Sequence, residues 1–393
     1  MTAPEHPMIP GPYLTEERRQ FRDLAREFTL KEVLPVANEL DADGGEIPMA
    51  LRDKMAELGF FGIMIDEEYG GLGMGAFEYC LAAEELARGW MSVASIMARG
   101  NRPMADWEPE RRARLMPEVV AGRYLSATAI SEPGAGSDVA AISCRARRDG
   151  DGWVVNGQKM WCTFADGADY IVLFARTGEE IDPAARHRGI SAFLIDKERG
   201  SLPEGVHGTR VRKIGYHGWN TWELSFDDAR LPADALIGEE GRGFYMALHG
   251  LEVARLHTAA RAIGLARGAL EDSIAYAAER AQFGHPIGEF QAIRFKIAWM
   301  AAQIEAARSL MYDVCTRYDA GEKCGTEASM AKLVASEMAE RVTSEGLQIH
   351  GGAGYTTDHA VERYWRDARL TKIFEGTSEI QMRIISDALM GRP

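Results

Sequence analysis

The chain has 393 residues, 46% hydrophobic and 26% charged, with a formal net charge of −14. That length suggests two or three domains rather than one core. The acidic balance argues against a large nucleic-acid surface, though it leaves room for an anionic cofactor held by local arginines or helix N-termini. No apolar run reaches the length of a membrane span. Cys80, Cys144, Cys162, Cys315 and Cys324 form no CxxC pair. They suggest neither a disulfide framework nor a zinc cluster, no metal is expected, and a reducing, cytoplasmic setting follows. The start, MTAPEHPMIPGPY, has no basic segment leading into an apolar one, so no secretory signal is expected.

Residues 1–122 form an expected N-terminal helical domain. LTEERRQFRDLAREFTLKEVLPVANEL places Phe21, Leu24, Ala25, Phe28 and Val33 on one helix face, with Thr15 as N-cap and Pro35 as a constraint. MALRDKMAELGF predicts a second helix ending near Gly59. YGGLGMG at 69–75 is a glycine-rich loop, followed by the long apolar stripe FEYCLAAEELARGWMSVASIMA and by EPERRARLMPEVVAG.

Residues 123–238 change character and predict a compact β domain. GWVVNGQKMWC, DYIVLFAR, GISAFLID, GTRVRKI and TWELSFDD suit strands bounded by turns. The pairs Asp149-Gly150 and Asn156-Gly157 favour tight hairpins.

Residues 239–393 return to helical periodicity. MALHGLEVARLHTAARAIGLARGALEDSIAYAAER, FQAIRFKIAWMAAQIEAARSLMYDVCTRYDAG, ASMAKLVASEMAERVTSEGLQIH and the tail from Ser378 suit a four-helix bundle with room for subunit contacts. The fold class is therefore α+β, in the order helical, β, helical. No GxGxxG opens a βαβ unit and there is no P-loop. Composition and periodicity stop at a layout and name no reaction. Glu375, in FEGTSE, reads locally as a capping glutamate or as a site residue.

Five segments read together resemble the acyl-CoA dehydrogenase family: AISEPGAGSD at 129–138, NGQKMWCT at 156–163, AERAQFGHPIGEFQ at 278–291, LQIHGGAGY at 347–355 and RYWRDARLTKIFEGTSEI at 363–380. They stand in the family's order and span most of the chain. The resemblance implies a homotetramer with one FAD per subunit. It implies oxidation of an acyl-CoA thioester to the trans-2-enoyl-CoA, with electrons passed to electron-transfer flavoprotein. It implies no membrane span and no nucleic acid.

By the same resemblance Glu375 is the catalytic base for the weakly acidic Cα proton, with Gly376 beside it at the substrate. Some members carry the base early in the C-terminal domain, where this chain has Ala254, which strengthens Glu375. Arg255 matches an arginine near the substrate, and Ser137 a residue beside the pantetheine. Ser131, Trp161 and Thr163 match flavin-ring contacts. Arg280, Gln282, Phe283, Gln348, Gly351, Gly352, Thr377 and Glu379 match the surroundings of the rest of FAD, part of it across a subunit boundary.

Arg88 stands where glutaryl-CoA dehydrogenases bind a distal carboxylate, so a dicarboxylic acyl-CoA is one alternative; Arg99 and Arg102 are weaker candidates for that role. Arg88 also reads as the plain end of a helix face. His217, Trp219, Trp222, Phe164 and Phe374 depart from common family residues. An acyl-CoA oxidase, or a non-catalytic binding protein on the same scaffold, is a further alternative. The aspartate base of nitroalkane oxidases and the missing base of desulfinases both disfavour those branches.

Overall fold

The computed structural model describes residues 13–101, 104, 107–178, 182–248 and 250–391; Arg102 lies outside them. The N-terminal layer comprises α1 (Glu16–Phe28), α2 (Leu34–Leu40), α3 (Met49–Glu57), α4 (Ala76–Gly89), α5 (Met91–Met97) and α6 (Pro109–Val120). Thr15 caps α1 as its side chain accepts from the Arg18 amide. Phe21, Ala25 and Phe28 are buried, whereas Leu24 is 41% exposed. The apolar stripe through 77–98 is broken at Trp90, whose extended backbone ends α4 and starts α5.

The middle layer is one sheet of eight strands: β1 (Ser126–Ala129), β2 (Arg145–Asp149), β3 (Gly152–Thr163), β4 (Tyr170–Arg176), β5 (Ile190–Asp196), β6 (Val206–Arg210), β7 (Thr221–Leu231) and β8 (Leu236–Ile237). The main path is β6-β7-β3-β2-β4-β5-β8, and β1 pairs in parallel with β4. Asp149 and Gly150 turn β2 into β3 as expected, with Gly150 at φ 62°. Asn156 and Gly157 make no hairpin. They lie inside β3 at a register shift against β7, where Asn156 bonds Asp228 across the strands. The strand expected over 208–214 lies at Val206–Arg210, with the Val211 amide making the last bond to the neighbouring strand, to the Thr221 carbonyl at 2.8 Å.

The C-terminal layer holds α7 (Gly243–Leu248), α8 (Leu251–Glu279), α9 (Gln291–Asp319), α10 (Gly325–His350), α11 (Val361–Thr371) and α12 (Ser378–Met390). Between α8 and α9, β9 (Ala281–Gln282) and β10 (His285–Pro286) form a small hairpin. The observed order of helices, mixed sheet and helix bundle matches the expected fold class. Helix α10 packs on α8, α9, α11 and α12, and α4 packs on α8. The α4–α8 approach depends on Gly264, where a Cβ would lie 2.3 Å from the Glu84 carbonyl oxygen. Buried ion pairs join α4 to both neighbouring helices: Arg267 of α8 with Glu84 and Glu85, and Arg308 of α9 with Glu84. No helix among the described residues is long and apolar enough to cross a membrane.

Candidate active site

The site forms where α8, α5 and the segment between α11 and α12 meet. Glu375 occupies that segment at φ 53°, a left-handed conformation uncommon outside glycine, and Gly376 follows at φ 88°. Such a backbone is held by its surroundings. Lys332 on α10 donates to the Gly376 carbonyl at 2.7 Å, and Gln381 Nε2 donates to it at 2.9 Å. Thr377 caps α12 by accepting from the Ile380 amide. Burial pushes the Lys332 ammonium down to about 8, opposed by the nearby Glu375 charge.

The Glu375 carboxylate is 35% exposed, and two groups on one face of α8 hold it. Arg261 Nη2 lies 2.9 Å from Oε1, and the Thr258 hydroxyl donates to Oε2. Arg261 is 1% exposed and also donates to Ser95 Oγ at 2.7 Å and Thr258 Oγ1 at 3.0 Å. Its guanidinium lies 4.7 Å from the Phe374 ring centroid. Burial works against the Arg261 charge, and the Glu375 and Tyr216 interactions outweigh it, leaving its pKa raised. Beside it, burial holds the His257 imidazole well below its ordinary range, and Arg261 adds to the effect, so the ring stays neutral. Thr258, Arg261, Ser95 and Lys332 were not singled out in the sequence. The spacing 254, 258, 261 on α8 was the available signal: i+4 then i+3 places both side chains below the position of Ala254.

Arg255, a half-buried neighbour on α8, instead donates to the Gly325 carbonyl at 3.3 Å at the start of α10. Arg88 corrects an expectation. It is 5% exposed, with Nε on Glu271 at 3.0 Å, Nη2 on Asp272 at 2.8 Å and Nη1 on the Tyr364 hydroxyl at 2.7 Å. All three of its nitrogens are committed between α4, α8 and α11, so it is not poised for an acyl carboxylate. His217 hydrogen-bonds the Asp41 carbonyl and faces its carboxylate, a packing role.

The β domain turns a second set of residues outward. Buried Lys159 donates to Glu132 and to the Ile130 carbonyl, and Glu132 accepts from the Cys144 amide. The Met160 amide donates to the Ser131 carbonyl, so the loop at 131 is tied to β3. The β3–β7 register shifts between Lys159 and Cys162, and Trp161 adopts φ 63° with 57% of its surface exposed. Thr163 shares a hydroxyl contact with Thr221 at 3.0 Å, and Phe164 packs on Trp219 at 5.8 Å. Ser137 is exposed in the GAGSD loop.

A third set lies on the β9–β10 hairpin, at the end of α10 and on the first turn of α12. Phe283 is 92% exposed at φ 53°, beside exposed Arg280 and Gln282. Gln348, Gly351 and Gly352 are exposed at the end of α10, with open space where a Cβ on either glycine would stand. Glu379 is exposed on the first turn of α12, its pKa lowered by a backbone bond and by Thr377. These features suit FAD. Trp161 offers an uncovered aromatic face to a flat ring, the two open glycines allow close backbone approach to phosphate, and Arg280 has no ion-pair partner among the described residues.

Family models for acyl-CoA dehydrogenase match throughout: the N-terminal domain over 15–123, the middle domain over 127–229 and the C-terminal domain over 241–390. An acyl-CoA dehydrogenase of Bacillus subtilis (strain 168) is 40% identical over 384 residues, covering 96% of this chain and 99% of the relative. The caffeyl-CoA reductase-Etf complex subunit CarC of Acetobacterium woodii is 38% identical, covering 96% and 99%. Butyryl-CoA dehydrogenase from Megasphaera elsdenii superposes with a TM-score of 0.88 at 36% identity, covering 96% and 99%. A glutaryl-coenzyme A dehydrogenase in complex with glutaryl-CoA superposes at 0.87 with 34% identity, covering 96% of both chains. The chain belongs to the acyl-CoA dehydrogenase family and is an FAD-dependent oxidoreductase.

Proposed function

We propose that this enzyme oxidises a short acyl-CoA thioester between Cα and Cβ, with Glu375 as the base. The observation that carries this reading is the Glu375 carboxylate, half open on a left-handed turn and gripped from behind by Arg261 and Thr258. Such a grip holds the resting carboxylate at the site without covering it, within a side-chain rotation of a substrate carbon. FAD, when bound, supplies the hydride acceptor. Thr258 and Arg261 hold the resting base, Lys332 and Gln381 fix the segment carrying it, and Arg255 and Ser137 would lie toward the thioester and pantetheine. Ser131, Trp161 and Thr163 would hold the flavin ring. Arg280, Gln282, Phe283, Gln348, Gly351, Gly352, Thr377 and Glu379 would hold the remainder, partly in a neighbouring subunit of a tetramer. Exposed Phe295, Trp299 and Met382 on α9 and α12 fit such an assembly.

Electrons would pass to electron-transfer flavoprotein, in keeping with the relative described as part of an Etf complex. Five buried free cysteines agree with a cytoplasmic setting. A carboxylated acyl chain is better supported than a plain fatty one. The buried Arg261 guanidinium pairs with Glu375, and a solved relative holds glutaryl-CoA. Anaerobic bleaching of the purified flavoprotein tests the reading, using butyryl-, valeryl-, octanoyl-, succinyl- and glutaryl-CoA. Rapid reduction by one class is the expected result; a yellow protein that none of them reduces would contradict it.

A further inference from the structure

Arg261 is a buried cation whose counter-ion is the catalytic group itself. Among the described residues, Glu375 is the carboxylate within ion-pair range of it. A guanidinium buried this deeply needs an anion, because desolvation is costly without one. In the resting protein Glu375 supplies it. When Glu375 takes a proton it becomes a neutral acid, and Arg261 loses its counter-charge at that moment. Turning Glu375 toward a substrate carbon has the same effect.

Other cations make the deficit larger. The Arg99 guanidinium lies 5.1 Å from the Trp219 ring centroid, and buried Lys332 lies close enough to Glu375 and Arg261 to feel both charges. Trp219 packs on Tyr216 at 5.3 Å and Tyr216 on Phe374 at 5.8 Å, which links Arg99 to the base through one aromatic wall. The buried Trp219 indole N–H donates to nothing among the described residues. An apolar acyl tail would leave Arg261 without a counter-charge once Glu375 is protonated and would leave the Trp219 donor unmet; an anionic tail would supply an acceptor for both.

We propose that Arg261 receives a carboxylate at the far end of the acyl chain, and that this carboxylate replaces Glu375 on Arg261 and releases it to act as base. The proposal rests on the reading of Glu375 as base and deepens it by naming the substrate class and the residue that selects it. The reach is compatible. The resting Glu375 carboxylate is 2.9 Å from Arg261, so once released onto Cα it leaves the guanidinium about 6 Å from that carbon. A carboxylate two or three carbons beyond Cα spans that gap, as in succinyl or glutaryl chains.

The test compares carboxylated and plain chains of equal length, glutaryl- with valeryl-CoA and succinyl- with butyryl-CoA, by anaerobic flavin reduction. The intact enzyme is expected to favour the carboxylated member of a pair. In Arg261→Gln the ratio of carboxylated to plain kcat/KM should fall by about tenfold to a hundredfold, the range for a lost charge-assisted pair, and Arg261→Lys should restore part of it. An unchanged ratio in a variant that keeps its FAD would overturn the proposal. So would an intact enzyme reduced by plain chains alone, and that result would leave Glu375 as base standing; reduction by neither class would overturn both readings. A binding measurement does not depend on how Arg261 variants fold. Glu375→Gln should bind glutaryl-CoA more tightly than the intact enzyme, because a neutral side chain no longer competes for Arg261. Equal or weaker binding would overturn the exchange.

Discussion

The Lys332 ammonium and the Gly376 carbonyl oxygen lie 2.7 Å apart, so α10 holds the backbone immediately after Glu375. Lys332 is fully buried, and its charge is tolerated because it faces that carbonyl and lies near the Glu375 carboxylate. In Lys332→Met only Gln381 would hold the carbonyl. FAD content should be retained while the rate of flavin reduction falls about tenfold, since small misplacements of a catalytic group are expensive in rate. Single-turnover flavin reduction checks this, and an unchanged rate would remove Lys332 from the positioning of the base.

Arg88 is expected to act on stability and not on substrate choice. Removing it leaves Glu271 and Asp272 without their Arg88 contacts at the α4–α8 interface. Arg88→Ala should cost about 3 kcal/mol, the scale for breaking one side of a buried pair. Thermal unfolding reads that loss. The ratio of glutaryl- to valeryl-CoA activity should match that of the intact enzyme.

Asp367 gives the fold a pH slope. Burial, and then the neighbouring Asp41, push its carboxyl up to about 7, while its Oδ1 accepts from the Tyr216 amide at 2.6 Å. The folded protein therefore holds a proton there that the unfolded chain releases above the ordinary value of 3.8. Stability from this group falls as pH rises from about 4 to about 7. Asp367→Asn keeps the acceptor and removes the titration. Its melting temperature relative to the intact protein should be higher at pH 8 than at pH 4.5; a difference independent of pH would contradict this.

Arg280 is exposed, without an ion-pair partner among the described residues, and stands beside the uncovered Phe283 ring. Arg280→Ala should lower the FAD retained through purification, read as the ratio of visible to ultraviolet absorbance. Unchanged flavin content would remove it from the cofactor site.

Periodicity made the helical and β layers legible, because long amphipathic stretches such as 291–319 repeat their buried positions, here Met300, Ile304, Ala307 and Met311. It was weaker where tertiary context decides. The Asn156-Gly157 pair has hairpin chemistry yet lies within a strand, since the pairing of β3 with β7 overrides the local preference. The stripe through Trp90 carries only Gly89 as a breaker, and the helix ends there, with the indole N–H donating to Asp41. Within the site, Glu375 stood out by its motif, whereas Arg261 did not. An arginine in an alanine-rich helix reads as a surface charge until the opposing segment is brought against it. Arg88 stayed ambiguous for the mirror reason: its carboxylate partners, Glu271 and Asp272, lie 183 and 184 residues away in the chain.

The central claim is that Glu375 takes the proton. Stopped-flow, anaerobic reduction of the bound flavin in Glu375→Gln, with the best acyl-CoA of the panel, tests it most directly. The account predicts a normal complement of FAD and bound acyl-CoA with flavin reduction slowed by at least about a hundredfold, the lower part of the range for losing a positioned general base. Reduction at the rate of the intact enzyme would contradict it.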